Sequence, residues 1–311
     1  MSGSVGPRVV AVVVAYNRRE LLRECLDALA VQSRPLDAIV VVDNASEDGS
    51  GSMVLEHFPA VDLVPLVRNT GGAGGFSIGI ERALASHHAD LVWIMDDDTV
   101  PQVDALQELL QVRAVRPELA LQASRAIWID GAEHPMNTPK LRIGTPRAVR
   151  ARAAEFDAIP VRSASFVSLL LDARVVRAVG LPIADYFLWN DDFEYTSRIL
   201  HHHEGWYCRS SIVMHKTKSF GSSNADPGAR FYYEVRNKLW LFRFSSAFAW
   251  WERALYIAAT VRRWVQTWAH SSDRVALRDA RRRGWRDGWS SRPRLNDEVL
   301  AGAAWSHREE A

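Results

Sequence analysis

Three consecutive aspartates, Asp96, Asp97 and Asp98, are the residues whose type and spacing most directly suggest chemistry. They follow residues 91–95, an unbroken apolar run that predicts a strand buried on both faces of a parallel sheet. In an extended chain Asp96 and Asp98 point to the same side, and such a pair of carboxylates can bind a hard divalent cation. The structural alternative is a solvated acidic turn that caps a helix beginning near Pro101.

Polar residues also end the two strands predicted before this one. Asp43 follows residues 38–42, and Arg68 and Asn69 follow residues 62–67. The carboxyl ends of parallel strands meet at one edge of a sheet, where open α/β folds bind ligands. These side chains are therefore expected to line one crevice together with the aspartates.

A glycine-rich segment at residues 71–75 leads into a helical pattern. Its backbone amides and the helix start could cradle phosphates, with Gly72, Gly74 and Gly75 as the candidate contacts. The segment has neither a Walker spacing nor a spaced GxGxxG, so it is a weak signal alone. Placed before the acidic strand end, it predicts a diphosphate site.

A second acidic pair, Asp191 and Asp192, lies at the start of a predicted helix. Adjacent carboxylates raise each other's pKa, as does partial burial, and this suits a general base. The alternative is a helix amino-terminal turn that favours acids through the helix dipole. His215 follows an apolar run, and a lone histidine there is more often structural. Arg236 could reach an anionic group or form a structural salt bridge.

The overall pattern predicts an α/β fold with a parallel, doubly wound sheet. The chain has 311 residues with 48% hydrophobic content, which is enough for one large domain or two smaller ones. Val9–Ala15 is interpreted as the first strand, and Asn17 with Glu20 resembles a capping box at the helix that follows. Cys25 and Cys208 show no metal spacing and favour a reducing, cytoplasmic compartment.

The carboxyl-terminal part is predicted to be helical and rich in arginine and tryptophan. Between Arg230 and Arg294 there are fifteen Lys or Arg residues against five Asp or Glu, and seven of the twelve tryptophans. This composition suits an anionic membrane surface. The alternative is a basic solvated face with core tryptophans, and no nucleic-acid motif accompanies the charge.

Taken together, these motifs resemble the family-two inverting glycosyltransferases with a GT-A fold, over roughly residues 9–244. The motifs that carry the resemblance are listed here in chain order: residues 14–17, 42–46, 69–76 and 96–98, Asp191 with Asp192, and His215. More narrowly, the chain is similar to the shorter, initiating type of actinobacterial galactofuranosyltransferase. Asn190 stands where polymerising relatives carry tryptophan, and rhamnosyltransferases share much of the pattern.

The resemblance implies a GT-A catalytic domain at residues 1–228, with a nucleotide-binding half at about 1–100 and an acceptor-binding half at about 101–228. Residues 229–311 would form a helical membrane-association region. The implied catalytic residues are Asp192 as base and Asp191 as its neighbour. The implied metal ligands for Mn²⁺ or Mg²⁺ are Asp96, Asp98 and His215. The implied nucleotide contacts are Ala15, Asn17, Asp43, Arg68, Asn69, Gly72, Gly74, Gly75, Asp96 and Asp97. The implied acceptor contacts are Trp189, Glu194 and Arg236.

The implied reaction transfers galactofuranose from UDP-galactofuranose to a polyprenyl-diphosphate-linked glycan, at the inner face of the plasma membrane. A dTDP-rhamnose enzyme is the alternative within the class, and a homo-oligomer is left open. A sugar-phosphate nucleotidyltransferase would carry a glycine-rich loop directly after the first strand, where this chain has Ala15, Tyr16 and Asn17. A sugar-nucleotide-binding protein without catalysis would not require the second acidic pair.

Overall fold

The computed structural model describes residues 6–134, 137–217 and 226–303. Within these ranges the strands are β1 (Val9–Ala15), β2 (Ala38–Asp43), β3 (Asp62–Pro65), β4 (Leu91–Asp96), β5 (Thr99–Pro101), β6 (Leu121–Ile127), β7 (Lys140–Leu141), β8 (Ala158–Ser163), β9 (Ser168–Asp172) and β10 (Gly205–His215). The α-helices are α1 (Arg19–Ala30), α2 (Ser50–His57), α3 (Gly71–Ala85), α4 (Ala105–Val115), α5 (Arg147–Ala154), α6 (Ala173–Val179), α7 (Asp191–His202), α8 (Phe231–Phe244), α9 (Trp250–His270), α10 (Arg274–Ser290) and α11 (Asn296–Leu300).

The strands form one sheet in the order β3-β2-β1-β4-β9-β6-β10-β8-β7, and β5 pairs with β10. The first four strands in this order are parallel, whereas β9 runs antiparallel to both β4 and β6. The sheet is therefore parallel in the half formed by β1 to β4 and mixed in the other half. This confirms the predicted α/β fold with carboxyl-terminal helices.

Strand register brings the predicted site residues to one edge. Asp43 of β2 lies opposite Ala15 of β1, and Val14 of β1 lies opposite Asp96 of β4. Every residue of β1 is buried, because helices cover both faces of the sheet here. The central strand therefore fixes the two acidic strand ends side by side.

Two local predictions were wrong. Glu20 does not complete a capping box, because α1 begins at Arg19 without a side-chain cap and the Asn17 side chain accepts a hydrogen bond from Glu47 N instead. Pro101 does not begin a helix: it lies in β5, which pairs with β10, and α4 starts at Ala105. In both places, contacts with distant segments outweigh the local signal.

The glycine-rich segment also differs from its prediction as a loop, because residues 71–75 form the first turns of α3. Its glycines, with Gly79, let the helix lie close to β1. A Cβ atom on Gly75 would lie 2.5 Å from Val14 Cγ1, and one on Gly79 would lie 2.4 Å from Val12 Cγ1. Close packing of this helix on the central strand therefore requires glycine at both positions.

The carboxyl-terminal helices fold back onto the rest of the chain. α8 and α10 enclose a small core of Phe231, Val235, Leu239, Leu277 and Ala280. Residues 291–303, here called the C-terminal strap, then cross to the nucleotide half.

Hydrogen bonds hold the C-terminal strap in place at both of its ends. The Asn296 amide donates to Ser77 Oγ on α3, and Arg294 pairs with Asp185. Farther along, Val67 N donates to Ala303 O. The strap therefore joins α10 to the end of β3.

Gly79→Ala should destabilise the fold by about 1–3 kcal/mol, because its methyl group would overlap Val12 and press on Val42. Gly72→Ala is the matched control in the same helix, since the nearest atom to its new Cβ is Asp191 Oδ2 at 3.9 Å. Denaturant unfolding of both variants measures the difference. Equal stability of the two would contradict the close packing of α3 on β1.

Candidate active site

The aspartate triplet forms one side of a carboxylate–imidazole cluster. Asp96 ends β4, and Asp97 with Asp98 forms the turn into β5. Because His215 of β10 lies opposite Thr99 of β5, the pairing of these strands brings the imidazole to the turn. His215 Nε2 lies 3.1 Å from Asp98 Oδ1, and one ligand atom from each of Asp96, Asp98 and His215 falls within 4.8 Å of the others.

The cluster fits a divalent cation. His215 Nδ1 lies 2.8 Å from Asn137 Oδ1, a contact that orients the ring so that Nε2 faces the aspartates. Asn137 is itself oriented by donating to Ser165 Oγ. Asp98 Oδ1 is buried and accepts no hydrogen bond within the part of the chain that the structure describes. Two carboxylates and an imidazole form a donor set that suits a divalent metal ion.

Asp97 differs from its neighbours. Its Oδ2 accepts a hydrogen bond from Tyr16 N at 3.0 Å, and its Oδ1 accepts one from Arg18 at the same distance. Arg18 also pairs with Asp98 Oδ2. Both oxygens of Asp97 thus hold the loop after β1, so the geometry assigns this residue a bracing role rather than the predicted nucleotide contact.

The site is short of positive charge. Burial, followed by the charge of Asp98, raises the pKa of Asp96 to about 7, and burial raises the pKa of Asp97 to about 6 despite Arg18. Burial acts in the same direction on Asp98, but His215 and Arg18 outweigh it and lower the pKa of that carboxyl. A bound cation would stabilise the ionised form of all three.

The remaining nucleotide candidates lie along the same edge. Asp43 is buried with Oδ1 accepting from Ser46 N, and Asn17 N donates to Ser46 Oγ, so the loops after β1 and β2 are joined. Ala15 ends β1 beside Asp43. Asn69 Oδ1 accepts from Gly71 N and fixes the start of α3. This is the edge on which nucleotide binding was predicted.

Arg68 is also at this edge, but its guanidinium is turned to the C-terminal strap. Arg68 Nη2 donates to Val299 O at 2.6 Å and lies 3.5 Å from Ala301 O. The predicted nucleoside contact would require Arg68 to leave these carbonyls. Here Arg68 fixes the strap against the end of β3.

Among the three glycines predicted to contact phosphate, only Gly72 opens toward the acidic pair, with Asp191 Oδ2 3.9 Å from its ideal Cβ position. Gly74 faces Thr70 and Leu300, and Gly75 faces Val14. Both positions therefore require glycine for packing, and the phosphate contact predicted for their backbone N–H groups stays a prediction.

The acidic pair follows a strained segment. Phe187, Trp189 and Asn190 have φ values of 61°, 66° and 65°, in the left-handed region that non-glycine residues seldom adopt. The Asn237 amide holds this segment, since Nδ2 lies 2.9 Å from Tyr186 O, 2.9 Å from Leu188 O and 2.7 Å from Trp189 O. Asn237 is fully buried on α8. α8 thereby sets where Asp191 and Asp192 begin α7.

Two predicted acceptor contacts are engaged in the same framework. Arg236 is buried and donates to Asp185 O and Tyr186 O, while Glu194 is buried and pairs with Arg198. The geometry therefore assigns both a bracing role rather than the predicted acceptor contact. Trp189 is half-exposed beside the acidic pair, so its predicted role as an acceptor contact remains compatible with its position.

The two members of the acidic pair face different neighbours. Burial, then the charge of Asp192, raises the pKa of Asp191 well above its usual value, and Asp96 adds to this. Burial also raises the pKa of Asp192, while the Phe193 N–H and the Lys238 ammonium oppose that rise. Asp191 therefore faces the metal cluster, and Asp192 faces α8.

Four residues that complete this site were missed by the sequence reasoning: Arg18, Asn137, Asn237 and Lys238. Arg18 had a signal, as a cation directly after the first strand. Asn237 and Lys238 lie in residues 233–238, a segment that also resembles the galactofuranosyltransferases, but no role was predicted for either. Asn137 acts only through contacts far apart in sequence.

Comparison with known proteins places this geometry in a family. The model described as glycosyl transferase family 2 matches residues 10–167, just over half of the chain. The chain belongs to glycosyl transferase family 2. The match includes the strand ends with Asp43 and Asp96, but it ends before the acidic pair and His215.

This family 2 member is 31% identical over 197 residues to galactofuranosyltransferase GlfT1 of Mycolicibacterium smegmatis, covering 62% of this chain and 65% of the relative. The chain thus spans just under two thirds of that relative's length. The 1–349 fragment of Staphylococcus aureus TarS in complex with UDP-GlcNAc has the same fold, with a TM-score of 0.63 at 14% identity, covering 95% of this chain and 84% of the fragment. GalNAc-T7, solved with UDP, GalNAc and Mn²⁺, gives 0.62 at 15% identity, covering 89% and 55%.

His215→Ala should abolish any strengthening of UDP binding by Mn²⁺, because it removes the nitrogen donor of the cluster. Asn137→Ala leaves His215 in place but removes the hydrogen bond that orients its ring. This variant should weaken Mn²⁺ binding by roughly 10–100-fold. Calorimetric titration of UDP with and without Mn²⁺ measures both effects.

Asp27→Asn, an exposed carboxylate on α1, is the control and should change nothing. If the unmodified protein binds UDP with the same affinity in the presence and absence of Mn²⁺, the cluster holds no catalytic metal.

Proposed function

We propose that this protein is a metal-dependent inverting glycosyltransferase that moves galactofuranose from UDP-galactofuranose to a polyprenyl-diphosphate-linked glycan. The observation that carries the proposal is the position of the acidic pair: Gly72 and Asp191 adjoin, and the charge of Asp96 acts on Asp191. The acidic pair, which includes the candidate base Asp192, therefore lies next to a candidate metal cluster without belonging to it. The likeness to GlfT1 supports the choice of sugar.

In this reaction Asp192 takes the proton of an acceptor hydroxyl, whose oxygen bonds to the anomeric carbon as the bond from that carbon to the UDP oxygen breaks. One displacement from the opposite face inverts the configuration, through an oxocarbenium-like transition state. A divalent metal held by Asp96, Asp98 and His215 would neutralise charge on the diphosphate. Asn237 and Arg236 hold the base in position.

Asp192→Asn should nearly abolish transfer while leaving UDP binding intact, because the amide keeps the shape but cannot accept the proton. Radiolabelled transfer from UDP-galactofuranose, with dTDP-rhamnose as the competing donor, measures the rate and the donor choice together. Asp97→Asn is the matched control for removing a site carboxylate. Wild-type turnover by the Asp192 variant would exclude Asp192 as the base.

The pH dependence follows from the same residue. The pKa of Asp192 is raised in the folded protein, so its ionised, active form increases as pH rises through that pKa. Transfer should therefore lose rate toward acid at a higher pH than an ordinary aspartate would give. A rate that is flat down to the usual aspartate range would contradict this assignment.

We further propose that the protein works at the inner face of the plasma membrane, with α9 as the contact. In the described residues, no helix is long and apolar enough to cross a bilayer. The exposed face of α9 carries Trp250, Leu255, Val261 and Val265, of which Trp250 is 83% exposed. Arginines surround this apolar row on α9 and α10, which suits a helix lying in an anionic interface.

Replacing both Trp250 and Val261 with serine should release the protein from vesicles of phosphatidylglycerol and phosphatidylcholine, because it removes apolar contact area. Leu55→Ser, an exposed leucine on α2, is the control. Vesicle sedimentation provides the measurement, with phosphatidylcholine alone testing the charge requirement. Absence of the unmodified protein from the anionic pellet would refute the membrane proposal.

A further inference from the structure

Lys238 is a buried cation that the reaction described above does not use. It lies on α8 directly after Asn237 and is 8% exposed. Its ammonium is 4.1 Å from the centroid of the Phe193 ring and 6.0 Å from that of the Phe242 ring. Because Phe193 follows Asp192 in the chain, the ammonium is held beside the candidate base.

No partner for this ammonium is found among the described residues, neither a hydrogen bond nor an ion pair. The other basic side chains buried to this degree are bonded: Arg116 to Glu204, Arg162 to Glu252 and Arg236 to backbone carbonyls. Lysine is seldom buried to this degree unless it is paired. Lys238 is therefore a candidate point for binding an anionic ligand.

The neighbouring carboxylates do not complete it. Glu234 accepts from Asn190 Nδ2 with one oxygen and from Trp264 Nε1 with the other. Asp192 Oδ1 accepts from Phe193 N. Two further cations, Arg263 of α9 and Lys140 of β7, act on Lys238 from other elements. These cations and the carboxylates of Glu234 and Asp192 act on the ammonium in opposite directions, and an incoming anion would favour its charged form.

The side of the acidic pair on which Lys238 lies identifies the substrate. Asp191 adjoins Gly72, and the charge of Asp96 raises its pKa, so Asp191 faces the donor edge. The charge of Lys238 instead lowers the pKa of Asp192. A displacement with inversion needs the attacking and leaving oxygens on opposite sides of the anomeric carbon. An anion at Lys238 therefore belongs to the acceptor and not to the donor diphosphate.

We propose that Lys238 anchors an anion-binding point beside the candidate base and binds a phosphate oxygen of the acceptor, an inference that rests on the proposed glycosyl transfer. Phosphate fits because the ammonium is a compact point charge with three donors. The two aromatic rings near the ammonium lower the local polarity, which strengthens a contact with an anion.

Lys238→Met, which keeps the packing between the rings and removes the charge, should raise the KM for a phosphate-bearing acceptor by about tenfold or more. The KM for UDP-galactofuranose, whose site lies on the Asp191 side, should stay within about twofold of that of the unmodified enzyme. The KM for an acceptor lacking phosphate should be the same for the two proteins. Arg278→Met, an exposed cation on α10, is the control.

A second experiment measures anion binding directly and needs no acceptor. With UDP and Mn²⁺ filling the donor site, phenyl phosphate should raise the thermal-unfolding midpoint of the unmodified protein and not that of Lys238→Met. If the methionine variant does not fold, Lys238→Gln takes its place. The charges around Lys238 (Glu234, Asp192, Arg263 and Lys140) leave its pKa at about 8, below the usual value because of burial, so the midpoint shift should fade above that pH.

The outcomes separate the two proposals. If the unmodified protein neither transfers nor hydrolyses any sugar nucleotide, the proposed function fails, whatever Lys238 binds. If it transfers, but Lys238→Met keeps its acceptor KM and phenyl phosphate shifts neither midpoint, the Lys238 site is refuted. Loss of vesicle binding with an unchanged acceptor KM would assign the phosphate to a lipid headgroup and overturn the acceptor role.

Discussion

Repulsion among carboxylates is the constraint on which the arrangement of this protein depends. Asp96, Asp97, Asp98, Asp191 and Asp192 gather where β1 and β4 end, and burial raises the pKa of four of them. Arg18 and His215 stabilise part of this charge, which leaves the Asp96–His215 side short of a cation and the Asp192 side beside a lone ammonium. The side that lacks positive charge suits an anionic substrate that binds together with a metal ion. The side that carries the ammonium suits a second anionic substrate that binds directly.

Such a cluster keeps its geometry only if its backbone is held. The segment before α7 adopts left-handed conformations at three non-glycine residues, each costing on the order of 1–3 kcal/mol. One buried amide, that of Asn237, bonds three of its carbonyls, and Arg236 bonds two. α8 therefore belongs to the catalytic part of the molecule, although the sequence-based boundary placed it in a separate region after residue 228.

The sequence predicted what depends on local pattern. Apolar runs located β1, β2 and β4, and parallel pairing then brought Asp43 and Asp96 together at one edge. What it could not show depends on contacts far apart in the chain. The pairing of β5 with β10 brings His215 to the aspartates, the strap carbonyls bind Arg68, and Gly75 packs against β1. A histidine, an arginine or a glycine at these positions could have served either a structural or a ligand-binding role. Only the tertiary contacts decide between these uses.

The C-terminal strap has a consequence for how the protein is made. Arg68, near the end of a strand synthesised early, bonds Val299 across 231 residues of chain. During translation the first four strands can pair as soon as they emerge, but the edge beside β3 stays unfinished until the strap has been synthesised. Closing so long a loop is slow and entropically costly. That edge should therefore be completed after most of the sheet has already formed.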